Sequence, residues 1–156
     1  MTAKEYLREL KRLDTCINQK ITEKDSLYSG SIGSARTDAV PVRGCETTAT
    51  VEKTVERLEE LEVEINRQID VFVDQRHTII DQIQALESEL YISVLYKRYI
   101  EFKRLEEIAV EMGYAYKYVS RVHGCALQAF FRLHEAAISE YASKKKQALT
   151  KIGGTK

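Results

Sequence analysis

From residue 50 to residue 90 the chain carries neither Gly nor Pro, and a seam recurs at alternating steps of three and four. It runs Val55, Leu58, Glu62, Ile65, Ile69, Phe72, Arg76, Ile79, Ile83, Leu86 and Leu90. Such a heptad keeps its apolar members on one helix face, and nothing in the stretch interrupts a single helix of ~60 Å at 1.5 Å per residue. A helix of that length cannot bury its stripe alone. The spacing therefore predicts an all-α fold in which residues 49–90 form a long helix packed on another.

The other helix is read at residues 1–28. Thr2 followed by Glu5 is a capping box, in which each side chain satisfies an amide left open at the helix start. Tyr6, Leu10, Leu13, Ile17, Ile21 and Tyr28 then form one apolar stripe. Between the two helices, residues 29–48 hold Gly30, Gly33, Pro41 and Gly44 among many Ser and Thr, with no lasting period. That composition reads as a flexible linker, across which the first helix folds back antiparallel on the second to make a helical hairpin. The stretch from Ile79 to Leu90 exceeds the reach of this cover, so it needs the C-terminal part of the chain or a second copy. Glu62 and Arg76 are equally spaced about Ile69, and an antiparallel homodimer through the heptad helix would set one against the other. The competing reading places both at the edge of an intramolecular hairpin.

Charge divides the chain. Residues 1–90 hold 12 Lys and Arg against 18 Asp and Glu, whereas residues 91–156 hold 12 against 6. A basic back half suits a polyanionic partner, although Lys144, Lys145 and Lys146 alone account for half of its excess. At 44% hydrophobic and 31% charged residues, the composition excludes collagen-like and wholly disordered classes. No apolar run approaches the ~18 residues that span a bilayer. The opening MTAKEYLREL lacks the apolar core of a signal peptide, so a cytoplasmic location is expected. Cys16, Cys45 and Cys125 are scattered, as are His77, His123 and His134, and neither set has metal-ligand spacing. Glu59, Glu60, Glu62 and Glu64 read as a solvated face rather than an acid–base cluster. With no P-loop, GxSxG or HExxH, no enzyme, metal or cofactor is expected.

The segment LEEIAVEMGYAYKYVSRVHGCAL, from Leu105 to Leu127, carries the functional signal. Two helices crossing over a short turn need a small residue where they touch, and Ala109 stands there. Gly113 suits the turn because it reaches positive φ without a Cβ penalty. Val119 and Val122 then point back at Ile108 and Met112 to fill a small core. The second helix, about 116–131, would turn Tyr116, Lys117, Ser120 and Arg121 outward near its N-terminus. That end of a helix-turn-helix enters the major groove of double-stranded DNA, where Arg pairs with guanine and its neighbours reach bases or phosphates. Lys97, Arg98, Lys103 and Arg104 are placed to flank the phosphates. The plainer alternative makes Tyr114, Tyr116 and Tyr118 half-exposed core residues and the cations solvated.

At these residues a resemblance emerges. The pattern of Arg98-Tyr99, LEEIA at 105–109, MGY at 112–114, Val119 and Ala126-Leu127 resembles region 4 of bacterial sigma factors, a helix-turn-helix that reads promoter DNA. The whole chain is similar to small phage and prophage transcriptional regulators of the ArpU/RinA type, through its AKEYL opening, Arg12 to Asp14, and Glu64 to Asn66. The resemblance implies a sigma-like DNA-binding domain at 91–135, followed by a helix end and basic tail at 136–156. The helical N-terminal half would serve self-association or contact with RNA polymerase, a further candidate partner, and the resemblance itself does not say whether polymerase is bound. Two positions depart from the pattern: Arg104 and Ala115 stand where Ser or Thr usually caps the two helices, and a missing cap costs ~0.5–2 kcal/mol. Two other readings stay open, a small-terminase-like recognition subunit for DNA packaging and an adaptor that grips polymerase without touching DNA.

Overall fold

The computed structural model describes residues 1–33 and 46–152. Among them there are five helices and no strand: α1 (Ala3–Gly33), α2 (Glu46–Gln84), α3 (Glu89–Tyr99), α4 (Leu105–Met112) and α5 (Tyr116–Ile152). The fold is all-α, and none of these helices is long and apolar enough to cross a membrane. Most of the expected linker, 34–45, lies outside the described residues, while 29–33 continue α1 and 46–48 already belong to α2. The described chain divides into two compact units, one built from Met1–Arg12 with Asp74 onward and one from Leu13–Val73.

In the Leu13–Val73 unit the two helices run antiparallel, with Lys20 on Glu64 at 3.0 Å, Lys24 on Glu62 at 2.9 Å and Arg57 on Glu23 at 2.9 Å. The buried seam of α2 is shifted from the expected register. Leu61 and Ile65 are buried, Leu58, Gln68 and Phe72 half-buried, whereas Glu62 and Ile69 are exposed. Glu62 thus sits at the edge of the helix pair with its carboxylate on Lys24, and Arg76 is exposed. This agrees with the intramolecular reading of Glu62, at the edge of a helix pair within one chain. Of the α1 stripe, Ile17 is buried, but Ile21 and Tyr28 are exposed.

The other unit begins with the first turns of α1. Thr2 N–H donates to Glu5 Oε2 at 2.8 Å and Glu5 N–H to Thr2 Oγ1 at 3.3 Å, closing the expected capping box. Tyr6, Leu7 and Leu10 are buried along with Ile79, Ile83, Leu86, Phe130 and Ile138. Tyr6 donates its hydroxyl to Gln82 Oε1 at 3.0 Å and meets the Tyr141 ring edge-on at 5.2 Å. The last turns of α2 are therefore covered from within the chain.

The expected helix to residue 90 is instead broken at Gln84. Leu86 N–H donates to the Ile83 carbonyl at 3.2 Å, a tightened final turn, and Ser88 goes extended (φ −93°, ψ 115°) before α3 starts. Leu86 is buried inside this turn, so the break keeps its apolar side chain out of water with no Gly or Pro to mark it. α5 likewise outruns its expected end near Phe131, continuing to Ile152 across a kink at His134 (φ −120°, ψ 22°). There the His134 Nε2 lies 2.9 Å from the Gln82 carbonyl oxygen.

Two glycines of this unit carry opposite predictions. Gly113 sits at φ +69° with open space where a Cβ would go, so the Gly113→Ala cost is conformational, about 1–2 kcal/mol. Gly124 lies in the body of α5, also in open space, and Gly124→Ala should stabilise by about 0.5–1 kcal/mol through a stiffer unfolded chain. Urea titration of the two variants should give midpoints on opposite sides of the parent. Midpoints moving the same way would contradict this account of the turn.

Candidate nucleic-acid interface

α4 and α5 are joined through Gly113, Tyr114 and Ala115. Gly113 closes α4 in the left-handed conformation, and Tyr114 N–H reaches back to the Ala109 carbonyl at 2.9 Å. Ile108, Ala109, Val119 and Val122 are buried together with Val94 of α3, and Met112, Leu105, Leu90 and Tyr91 pack around them. The small core expected from Ala109, Val119 and Val122 is thus present, with α3 supplying a wall that the motif spacing does not reveal.

Both helix starts lack a Ser or Thr cap, as the sequence implies. Arg104 has no side-chain acceptor, so only half of a capping box can form: its own N–H donates to Glu107 Oε2 at 2.8 Å. At α5 the Ala115 carbonyl accepts from Tyr118 N–H at 2.9 Å and Val119 N–H at 3.1 Å. With Val119, Val122 and Ala126 turned inward, Tyr116, Lys117, Ser120 and Arg121 are exposed on the opposite face. Neither Lys117 nor Arg121 is ion-paired among the described residues. Tyr114, Tyr116 and Tyr118 are 45–48% exposed and stand outside the core, with the Tyr114 and Tyr118 rings 5.1 Å apart.

The cations upstream divide into two groups. Lys103 is held by Glu101 at 2.8 Å and Glu111 at 2.6 Å, and Lys97 by Glu111 at 2.7 Å. Its hydrogen bonds to the two carboxylates keep the Lys103 ammonium well above the usual lysine range, and the two lysines hold Glu111 below the usual carboxylate range. A phosphate must displace these acids before it can use Lys103. Arg98 donates through Nη1 to the Lys103 carbonyl at 2.7 Å, which occupies one of its five N–H groups. Arg98, Arg104, Leu105, Glu106 and Tyr116 line one open cleft of about 260 Å³. The structure therefore brings Arg104 and Tyr116 together, sets Lys117, Ser120 and Arg121 along the adjoining outer face of α5, and leaves Lys103 neutralised.

A buried polar pair behind this face has no counterpart in the motif. Tyr99 hydroxyl and His123 Nε2 lie 3.1 Å apart, with the rings stacked at 5.8 Å. Burial pushes His123 down to about 4, and the charges of Arg98, Lys4 and Arg8 push it the same way. Lys4 and Arg8 belong to α1, at the far end of the sequence, and no local spacing points to them. Among the described residues no group of three or more His, Cys, Asp or Glu could hold a metal ion. Comparison of the chain with family models, curated proteins and solved structures finds no match.

Proposed function

We propose that this chain is a DNA-binding transcriptional regulator of the phage or prophage type, acting in the cytoplasm and reading duplex DNA with the first turns of α5. The observation that carries the reading is the outer face of α5: Lys117 and Arg121, with no ion-pair partner among the described residues, stand beside Tyr116 and Ser120 on a helix anchored by Val119 and Val122. An Arg on such a helix can pair bidentately with guanine, and a Lys can neutralise a phosphate. Arg104 adds a backbone contact from the cleft it shares with Tyr116. Lys103, being paired to two acids, contributes little.

Fluorescence anisotropy with a mixed-sequence duplex across a salt series tests this. Affinity should fall steeply with salt because each neutralised phosphate releases counterions. Lys117→Ala/Arg121→Ala should weaken binding about tenfold or more and flatten the salt slope by about one for each phosphate that is no longer neutralised. Lys103→Ala should change either quantity far less. Absence of binding even at low salt would overturn the reading and favour an adaptor to RNA polymerase. A ring-sized oligomer in solution would favour the packaging subunit instead.

A further inference from the structure

The α4–α5 face does not account for the cations at the start of α1. Lys4, Arg8 and Lys11 recur at steps of four and three, so they share one face of that helix, while Tyr6, Leu7 and Leu10 are buried in the core. Arg8 and Lys11 join Arg98, Tyr99 and Phe102 in lining a cavity of about 50 Å³, and none of the five is acidic. Arg98 is common to this cavity and to the cleft holding Arg104 and Tyr116. One guanidinium thus makes the basic residues of α1 continuous with those of the α4–α5 face.

Nearby acids compensate this charge only in part. Glu5 accepts from the Thr2 amide and keeps its negative charge, but Glu9 is paired to Arg12 and Lys145, and Glu101 to Lys103. Lys4 and Arg8 have no ion-pair partner among the described residues, and Arg98 donates to a carbonyl rather than a carboxylate there. Lys4 lies one helical turn from Arg8, and Arg8 shares its cavity with Arg98, so the three follow one another along the surface. Like charges gathered on a surface repel one another, and an anion relieves that repulsion. The cavity also holds a strained residue: Phe102 has φ +58°, in the left-handed region where bulky side chains are outliers, and Lys11 Nζ stands 5.9 Å from its ring centre. Strain of this kind concentrates at binding sites, where surrounding structure holds it.

We propose that Lys4, Arg8 and Arg98 form a second phosphate-binding surface, which takes the sugar–phosphate backbone of the same duplex whose groove receives α5. The inference rests on the DNA-binding reading above and extends it to a helix whose sequence suggested only packing. Base edges do not reach this surface, so it supplies affinity and orientation without sequence preference. Glu106 offsets part of the charge in the first cleft, whereas the α1 side has no acid lining it, which makes the α1 side the stronger hold on a phosphate.

The test uses the full chain, the mixed-sequence duplex and three proteins: parent, Lys4→Gln/Arg8→Gln, and Arg8→Lys. Circular-dichroism melting should show equal folding, since both positions are exposed. Removing two phosphate-neutralising cations should lower the slope of log affinity against log salt by about 1.8 and weaken binding about tenfold at physiological salt. Arg8→Lys should keep the parental slope, and the ranking of different duplex sequences should be the same in all three. A parent that binds with salt dependence and a double variant with an unchanged slope would overturn this inference alone. A parent that binds no duplex would overturn both it and the reading on which it rests.

Discussion

Phe130→Ala should destabilise the chain by about 3–5 kcal/mol, the usual cost of deleting a fully buried ring and leaving a cavity behind. Phe130 has no exposed surface, and it stands 6.3 Å from the Tyr6 ring and 4.8 Å from the His134 ring. Tyr6 in turn abuts Tyr141 and donates to Gln82, so it ties the first turns of α1 to the last turns of α2 and to α5 beyond its kink. Removing the Phe130 ring takes away one wall of this arrangement, and the void cannot close without moving α1. Urea titration should show the midpoint falling, and hydrogen exchange at residues 3–12 should accelerate with it. A cost below about 1 kcal/mol, or unchanged exchange over those residues, would show that α1 is held by something else. The same variant bears on the second phosphate surface: once the first turns of α1 loosen, Lys4 and Arg8 lose their fixed position beside Arg98, and the salt slope should flatten.

What the sequence reveals of this architecture follows the range of the interactions. The Thr2–Glu5 box and the Gly113 turn are local, and the inward set of Ala109, Val119 and Val122 depends on helical period alone. Each is legible for that reason. The seam of α2 is not, because two alternating series of three and four run through LEELEVEINRQIDVF: one takes Glu62 and Ile69, the other Leu61 and Gln68. Pairing with α1 selects the second, burying Leu61 and leaving Glu62 for Lys24. The break after Gln84 carries neither Gly nor Pro, and burial of Leu86 marks it only in three dimensions. Lys103 reads as a phosphate ligand from its charge and place in the chain. Part of its neutralisation comes from Glu101, two residues away, but the rest depends on Glu111, across the length of α4, whose position only the folded turn determines. Arg98 is the sharpest case. Its sequence neighbours place it with the motif, yet its second set of neighbours, Arg8 and Lys11, comes from the opposite end of the chain.

His123 makes stability depend on pH in a window set by its two states. The unfolded imidazole titrates near 6.5, whereas burial, reinforced by the charges of Arg98, Lys4 and Arg8, lowers the folded one to about 4. Between those values the unfolded chain binds the proton more readily, so stability is complete above pH 6.5 and declines as pH falls towards 4. At ~1.36 kcal/mol per pH unit the full loss is on the order of 3 kcal/mol. Replacing the imidazole by an apolar ring, His123→Phe, removes the titrating group. That variant should be weaker than the parent at neutral pH, since Tyr99 loses a hydrogen-bond partner worth about 1 kcal/mol, yet hold its stability down to about pH 5. Glu64 does not blur the comparison. Hydrogen bonds from Arg67 and Lys20 lower its carboxyl to about 2, so the stability it lends is fully present above 4.5 and lost only below. Urea midpoints for parent and variant at about pH 7 and pH 5 should therefore converge or cross as the pH is lowered. Parallel loss in both proteins would assign the acid sensitivity to another group and show that His123 is not held neutral by its place behind the basic face.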